Sequence, residues 1–137
     1  MTLTVAASPE MAFELFANEM GGWWDPDFTP DPATFSGVSV HPRVGSPVLM
    51  MHGEKGYRIG EVTAWEPGVR YAQTFTLALD REHPTMIEAR FAWTAEEDGC
   101  DVVFEHGGWT EDNAELRDKY TSWPHLLRRY AAYIEAD

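Results

Sequence analysis

Histidine has the widest chemical range of the residues in this chain, because it binds metals and transfers protons near neutral pH. The sequence contains five histidines: His41, His52, His83, His106 and His125. Metal sites usually draw several ligands from close positions, such as two histidines four residues apart on one helix. No pair here has that spacing, and the carboxylates are scattered through turns and exposed strand positions. The sequence therefore predicts no metal site.

His106 is the histidine best placed for a binding or acid–base role. Strand-like alternation puts Val102, Phe104 and His106 on one face, so the imidazole enters an apolar space. There it either hydrogen-bonds a ligand, titrates with a shifted pKa, or is a core histidine satisfied by a backbone carbonyl or a tyrosine hydroxyl. Gln73 raises the same alternative, since a buried amide needs either another side chain or a ligand as its partner.

Motifs for nucleophilic or nucleotide chemistry are missing from the sequence. There is no G-x-S-x-G elbow, and the stretch from Gly53 to Gly56 has the spacing of a hairpin turn rather than of a phosphate loop. Cys100, the only cysteine, follows Gly99 without an activating neighbour, which predicts a buried and inert thiol. We therefore predict no catalytic residue and no cofactor.

The chain is strongly acidic, with 23 acidic against 10 basic residues and a formal charge of -13. Such a field repels phosphate backbones and anionic lipids, so we expect neither nucleic acid nor membranes as partners. No apolar run approaches the roughly 20 residues of a membrane helix. The segment from Met1 to Ala7 is unlike a signal peptide, and a lone cysteine gives no sign of an oxidising compartment. These features predict a cytoplasmic protein.

The length of 137 residues suits one domain over 1–137. Residues 2–8 alternate as a short strand does. Ser8 is a good helix N-cap, and Pro9 is tolerated at the first helical position. We expect a helix from Pro9 to about Asn18, ended by Gly21-Gly22.

The middle of the chain reads as short strands separated by turn residues. The predicted strands are 34–40, 47–52, 57–66, 69–79, 85–95 and 100–109. Because parallel neighbours need long crossovers, short turns predict an antiparallel meander. Alternation gives this sheet one apolar face, with Ile87, Ala89, Phe91 and Trp93 of the fifth strand on it.

An amphipathic segment near the C-terminus is expected to cover that face. Its apolar residues recur at helical spacing: Leu116, Tyr120, Trp123, Leu127, Tyr130 and Ile134. Pro124 interrupts the stripe, so either the helix kinks there or Ser122 caps a second helix with Pro124 in its first turn.

Several short segments of the sequence, by their order and spacing, resemble those of one family. They are ASPEMAFELF at 7–16, GWW at 22–24, HPRVGSPV at 41–48, GEVTAWEPGVRY at 60–71 and EHGGW at 105–109. The chain resembles the helix-grip, START-like (SRPBCC) superfamily, in the branch related to the activator of heat-shock ATPase homologue domain. The resemblance implies an α+β fold, in which a curved antiparallel sheet of about six to seven strands wraps around a long C-terminal helix.

The resemblance also implies a cavity between the sheet and the helix, and a surplus of aromatic residues would either line it or fill it. We therefore expect a small hydrophobic or aromatic molecule as ligand. The expected binding residues are His106, Gln73, Tyr71, Phe75, Phe91, Trp93, Tyr120 and Trp123. The alternatives are a chaperone-related interaction module with an exposed Trp23, Trp24 and Phe28 patch, and a cyclase- or dehydratase-like enzyme. The aromatic segment from Trp24 to Phe35 also suggests a homodimer.

Overall fold

The computed structural model describes residues 1–29, 31–76, 84–109 and 123–136. Its strands are β1 (Thr2–Val5), β2 (Phe35–Ser39), β3 (Pro47–His52), β4 (Lys55–Glu66), β5 (Arg70–Phe75), β6 (Thr85–Trp93) and β7 (Cys100–Gly107). Its helices are α1 (Pro9–Ala17), α2 (Met20–Trp23), a 3-10 turn (Pro26–Phe28) and α3 (Trp123–Ala136). The predicted strands and the first helix are confirmed, with ends shifted by up to three residues; residues 77–79, the expected end of the fourth predicted strand, lie outside the described residues.

The seven strands form one antiparallel sheet in the order β1-β7-β6-β5-β4-β3-β2. Strands β2 to β7 are a meander, as the short turns predict. β1 lies at the opposite edge from β2 and pairs with β7, with Thr2 opposite Val103. The chain between β1 and β2 therefore crosses the sheet, and α1 and α2 lie on this crossing.

Helix α1 begins as its sequence predicts. The side chain of Ser8 accepts a 3.1 Å hydrogen bond from the backbone N–H of Met11, and Pro9 occupies the first turn. The helix buries Phe13 and Phe16 against the sheet. We call the sheet face under α1 and α3 the inner face.

The prediction that Gly21-Gly22 ends the first helix is wrong, because α1 ends at Ala17 and both glycines lie within α2. They permit close packing instead. A Cβ atom on Gly21 would lie 2.6 Å from the backbone nitrogen of Val38, and one on Gly22 would lie 2.7 Å from the Tyr133 ring. Helix α2 thus packs between edge strand β2 and α3.

Helix α3 covers the inner face with the predicted stripe: Trp123, Leu127, Tyr130 and Ile134 are all buried. As described, α3 begins at Trp123 and has Pro124 as its second residue. The stripe residues Leu116 and Tyr120, and the expected cap Ser122, lie outside the described residues. Among the described helices, none is both long enough and apolar enough to cross a membrane.

Candidate functional site

Aromatic side chains pack the centre of the inner face. The Phe16 ring of α1 lies within 5.2–6.4 Å, between ring centroids, of Trp23, Tyr71, Phe91, Phe104 and Tyr130. Phe13 extends this packing, with centroid distances of 5.1 Å to Trp65 and 5.5 Å to Phe91. The aromatic residues here act as core, so a ligand in this region would have to displace rings.

Trp23 and Trp24 belong to this core, with 1% and 2% of their surfaces exposed. The indole N–H of Trp23 donates to the carbonyl of Leu15 over 3.0 Å, and that of Trp24 donates to the carbonyl of Phe28 over 3.1 Å. The exposed patch of Trp23, Trp24 and Phe28 that the interaction-module alternative requires is therefore wrong for the two tryptophans. Local carbonyls satisfy their N–H groups, which lets both rings turn inward.

His106 lies at one end of the inner face, where β7 approaches the start of α3. Its Nδ1 accepts a 2.9 Å hydrogen bond from the indole N–H of Trp123, and its Nε2 lies 2.7 Å from Thr85 Oγ1. The Thr85 hydroxyl also donates to the carbonyl of Phe75 over 3.0 Å. The rings of Trp109, Phe75 and Trp123 surround the imidazole at centroid distances of 4.9, 5.4 and 5.6 Å. We call His106, Thr85, Phe75, Trp109 and Trp123 the His106 cluster.

Burial lowers the pKa of His106 from 6.5 to about 4, so the imidazole is neutral at physiological pH. Protonation at Nδ1 would point two N–H donors at each other, because the Trp123 indole can only donate. An acid–base role for His106 would therefore require the Trp123 hydrogen bond to break first.

Gln73 is fully buried and pairs with Tyr71. The Tyr71 hydroxyl donates to Gln73 Oε1 over 2.7 Å, and Gln73 Nε2 donates to the carbonyl of Thr74 over 3.0 Å. Burial raises the pKa of Tyr71, so its hydroxyl keeps its proton. In the sheet, Gln73 lies opposite Ile87 of β6, and Ile87 lies opposite His106 of β7. Two strand spacings, or about 10 Å, therefore separate Gln73 from His106.

Trp93 does not join the other predicted binding residues. Although it shares the face of Phe91, half of its surface is exposed. It lies six residues along β6 from Ile87, the partner of His106, or about 20 Å away. Its expected place among the cavity residues is therefore wrong: alternation gives the face of a strand, but not how much of each side chain on that face is covered. Phe91 is buried against Phe13 and Phe16, and Tyr120 lies outside the described residues.

The structure thus brings together three predicted residues, namely His106, Phe75 and Trp123. Thr85 was missed by the sequence reasoning, and Trp109 was not among the expected binding residues. Thr85 was within reach, because it is two residues before Ile87 and so falls on the same face of β6. Within the described ranges, no group of three or more His, Cys, Asp or Glu side chains could hold a metal ion.

A separate open pocket of about 530 Å³ lies beside the β3–β4 turn. Its lining residues are Asp31, Thr34, His52, Lys55, Gly56 and Tyr57. His52 Nδ1 lies 3.1 Å from Thr34 Oγ1, while its buried Nε2 has no hydrogen-bond partner in the described part of the chain. None of the lining residues belongs to the predicted binding set.

An open seven-stranded antiparallel sheet with a C-terminal helix on its inner face defines the helix-grip class. The family described as "Activator of Hsp90 ATPase homolog 1-like protein" matches residues 6–135. The chain belongs to this family. No curated protein matches the chain by sequence.

Solved structures agree on the fold. Protein MLL2253 from Mesorhizobium loti superposes with a TM-score of 0.73 at 15% identity, over 99% of this chain and 95% of its own. The Aha1 dimer from Colwellia psychrerythraea gives a TM-score of 0.70 at 21% identity, over 98% and 93%. DynU16, from the dynemicin biosynthetic locus, gives 0.70 at 14% identity, over 98% of this chain and 46% of its own. At these identities the likeness establishes the fold alone.

Proposed function

We propose that this protein binds a small, uncharged hydrophobic ligand with an aromatic ring, between the sheet and α3 at the His106 cluster. The observation that carries the proposal is a partly exposed imidazole that contacts, among the described residues, the aromatic rings of Phe75, Trp109 and Trp123. Binding pockets for small molecules commonly combine apolar walls with a few placed polar groups. The family and its fold are compatible with ligand binding.

The chemistry of the cluster favours an uncharged ligand. His106 is neutral, and the protein's charge of -13 opposes anions at long range. Most of the affinity would come from apolar burial at roughly 25 cal/mol per Å², reduced by the cost of ordering the ligand. We expect micromolar affinity, about -8 kcal/mol.

The test is a titration with the neutral fluorescent probe N-phenyl-1-naphthylamine. Trp109→Ala removes one wall of the cluster and should weaken binding about tenfold. Trp93→Ala is the matched control, because it deletes the same side chain about 20 Å away and should change affinity by less than about twofold. Absence of saturable binding to the wild type, or equal effects of the two variants, would refute the proposal.

A second candidate function is protein interaction, beginning with self-association. Trp93 is 50% exposed at the end of β6, and tryptophan is enriched at protein interfaces. A similar structure, the Colwellia psychrerythraea Aha1, is described as a dimer, and the family's description refers to activation of the Hsp90 ATPase. The proposal is that Trp93 lies at the centre of a homodimer contact.

Sedimentation velocity tests this second candidate. If Trp93 is central to the contact, Trp93→Ser should convert a dimer into a monomer. Met86→Ser should leave the dimer intact, although Met86 is also exposed, at 43%. A wild type that stays monomeric at high protein concentration and high salt would refute the proposal.

A further inference from the structure

The hydrogen bonds around His106 fix which ring nitrogen carries the proton. A backbone carbonyl can only accept, so the Thr85 hydroxyl proton goes to the Phe75 carbonyl at 3.0 Å. The Thr85 oxygen must then accept, at 2.7 Å, from a proton on His106 Nε2. On the other side, the indole of Trp123 can only donate, so Nδ1 must present its lone pair at 2.9 Å. Two independent partners therefore require the same Nε2–H tautomer.

The Trp123 side chain fills the space in front of that lone pair. Its ring centroid lies 4.5 Å from that of Phe104, 5.6 Å from that of Phe75 and 5.8 Å from that of Trp24. Only 8% of its surface is exposed. The cluster is thus already complementary, in shape and in hydrogen bonding, to a flat bicyclic ring with one N–H donor.

We propose that the His106 cluster selects planar aromatic ligands that carry an N–H or O–H donor, and that such a ligand binds by replacing the Trp123 indole against His106 Nδ1. The inference deepens the proposed function and rests on it. Ethers, N-alkylated heterocycles and carboxylates lack the donor, so they would leave the buried lone pair unpaired or face it with another lone pair. Thr85 is the specificity-determining residue, because its hydroxyl holds the acceptor in place.

The experiment uses Trp123→Gly and two isomeric probes, 3-methylindole and 1-methylindole. The isomers have nearly the same size and apolar surface, but only 3-methylindole keeps the N–H. Calorimetry should show that the variant binds 3-methylindole about tenfold more tightly than 1-methylindole. In thermal melts, 3-methylindole should raise the melting temperature of the variant more than 1-methylindole does. Equal affinities, or a preference for 1-methylindole, would overturn the inference.

Two further measurements keep the inference testable if Trp123→Gly does not fold. In the wild type, nitrogen-15 NMR of the His106 ring should show the Nε2–H tautomer at neutral pH, and an Nδ1–H tautomer would overturn the inference. In a Trp123→Phe background, which lacks the indole donor, Thr85→Val removes the remaining partner that holds the Nε2–H form, whereas Thr85→Ser keeps it. The proportion of the Nε2–H form should fall in Thr85→Val and persist in Thr85→Ser, and no difference between them would contradict the role of Thr85.

The outcomes also separate this inference from the proposed function. A wild type that binds no N-phenyl-1-naphthylamine, together with a Trp123→Gly variant that discriminates between the isomers, removes the proposed function but keeps donor selectivity. A wild type that binds N-phenyl-1-naphthylamine, together with a Trp123→Gly variant that binds both methylindoles equally, keeps the proposed function but removes donor selectivity.

Discussion

The hydroxyl of Tyr130 in α3 donates a 2.6 Å hydrogen bond to the backbone carbonyl of Ala12 in α1. Both residues are fully buried, and 118 positions separate them in the chain. The bond therefore fixes the rotation of α3 against α1, which in turn determines where Trp123 meets His106.

Tyr130→Phe removes this hydroxyl without changing the ring, and we expect it to lower the free energy of unfolding by about 1–2 kcal/mol. Tyr133→Phe is the matched control, because the Tyr133 hydroxyl bonds the side chain of Glu19 in a partly exposed position. That variant should lose less than about 0.5 kcal/mol. Urea melts measure both, and a larger loss in Tyr133→Phe would contradict this assignment.

Trp123→Ala should be strongly destabilising, by about 3–5 kcal/mol, because it leaves a large void among Trp24, Phe75 and Phe104. Trp93→Ala deletes the same atoms from a half-exposed position and should cost under about 1 kcal/mol. A loss below about 1 kcal/mol for Trp123→Ala in urea melts would mean that the start of α3 does not pack on the sheet.

The pH dependence of stability should carry a signature of His106. The pKa of His106 is lowered to about 4 in the folded protein. Between about pH 6.5 and 4, the unfolded chain therefore binds a proton at His106 that the native protein does not bind. Stability should therefore fall as the pH drops from about 6.5 towards 4, and this contribution should level off below that.

His106→Gln, which cannot titrate, should show a flatter loss of stability between pH 6.5 and 5 in urea melts. The lowered pKa values of Asp25 and Glu88 act at lower pH, below the ordinary values of 3.8 and 4.5. Identical slopes for the wild type and His106→Gln would exclude a buried neutral His106.

Gly21→Ala tests the close approach of α2 to β2. The added Cβ would lie 2.6 Å from the Val38 backbone nitrogen, so the backbone must move, at a cost of about 1–3 kcal/mol. Gly107→Ala is the control, since nothing lies within 4 Å of a Cβ there and the change should be small. Thermal melts that rank the two variants in the opposite order would contradict the packing described for α2.

The sheet could be predicted from sequence because its signals are local. Turn residues separate the strands, and alternation identifies the inward residues Ile87, Ala89 and Phe91, which are buried as expected. The same reasoning failed at Trp93, because the extent to which other elements cover a side chain cannot be derived from alternation along its strand. That extent is a property of tertiary packing, and the alternation of apolar and polar residues along one strand does not indicate it.

The polar contacts of the site were harder to predict. Alternation places Gln73 and His106 on the inner face, but their partners depend on distances between strands and on the rotation of α3. The Trp123 indole donates to His106 only because Tyr130 and the stripe orient the helix, and no pattern near His106 indicates this. The interaction-module alternative required Trp23 and Trp24 to be exposed, since their loop is unusually aromatic for a solvated turn, yet carbonyls only a few residues away satisfy both indoles.

The central claim is that a small neutral aromatic ligand binds at the His106 cluster, and the six tryptophans give a direct readout of it. The measurement is a titration of nitrogen-15-labelled wild type with 3-methylindole, followed through the indole N–H signals in NMR. We expect saturable shifts of the Trp109 and Trp123 signals, with the Trp65 and Trp93 signals unchanged. Shifts confined to Trp93, or no saturable shift at any tryptophan, would contradict the claim.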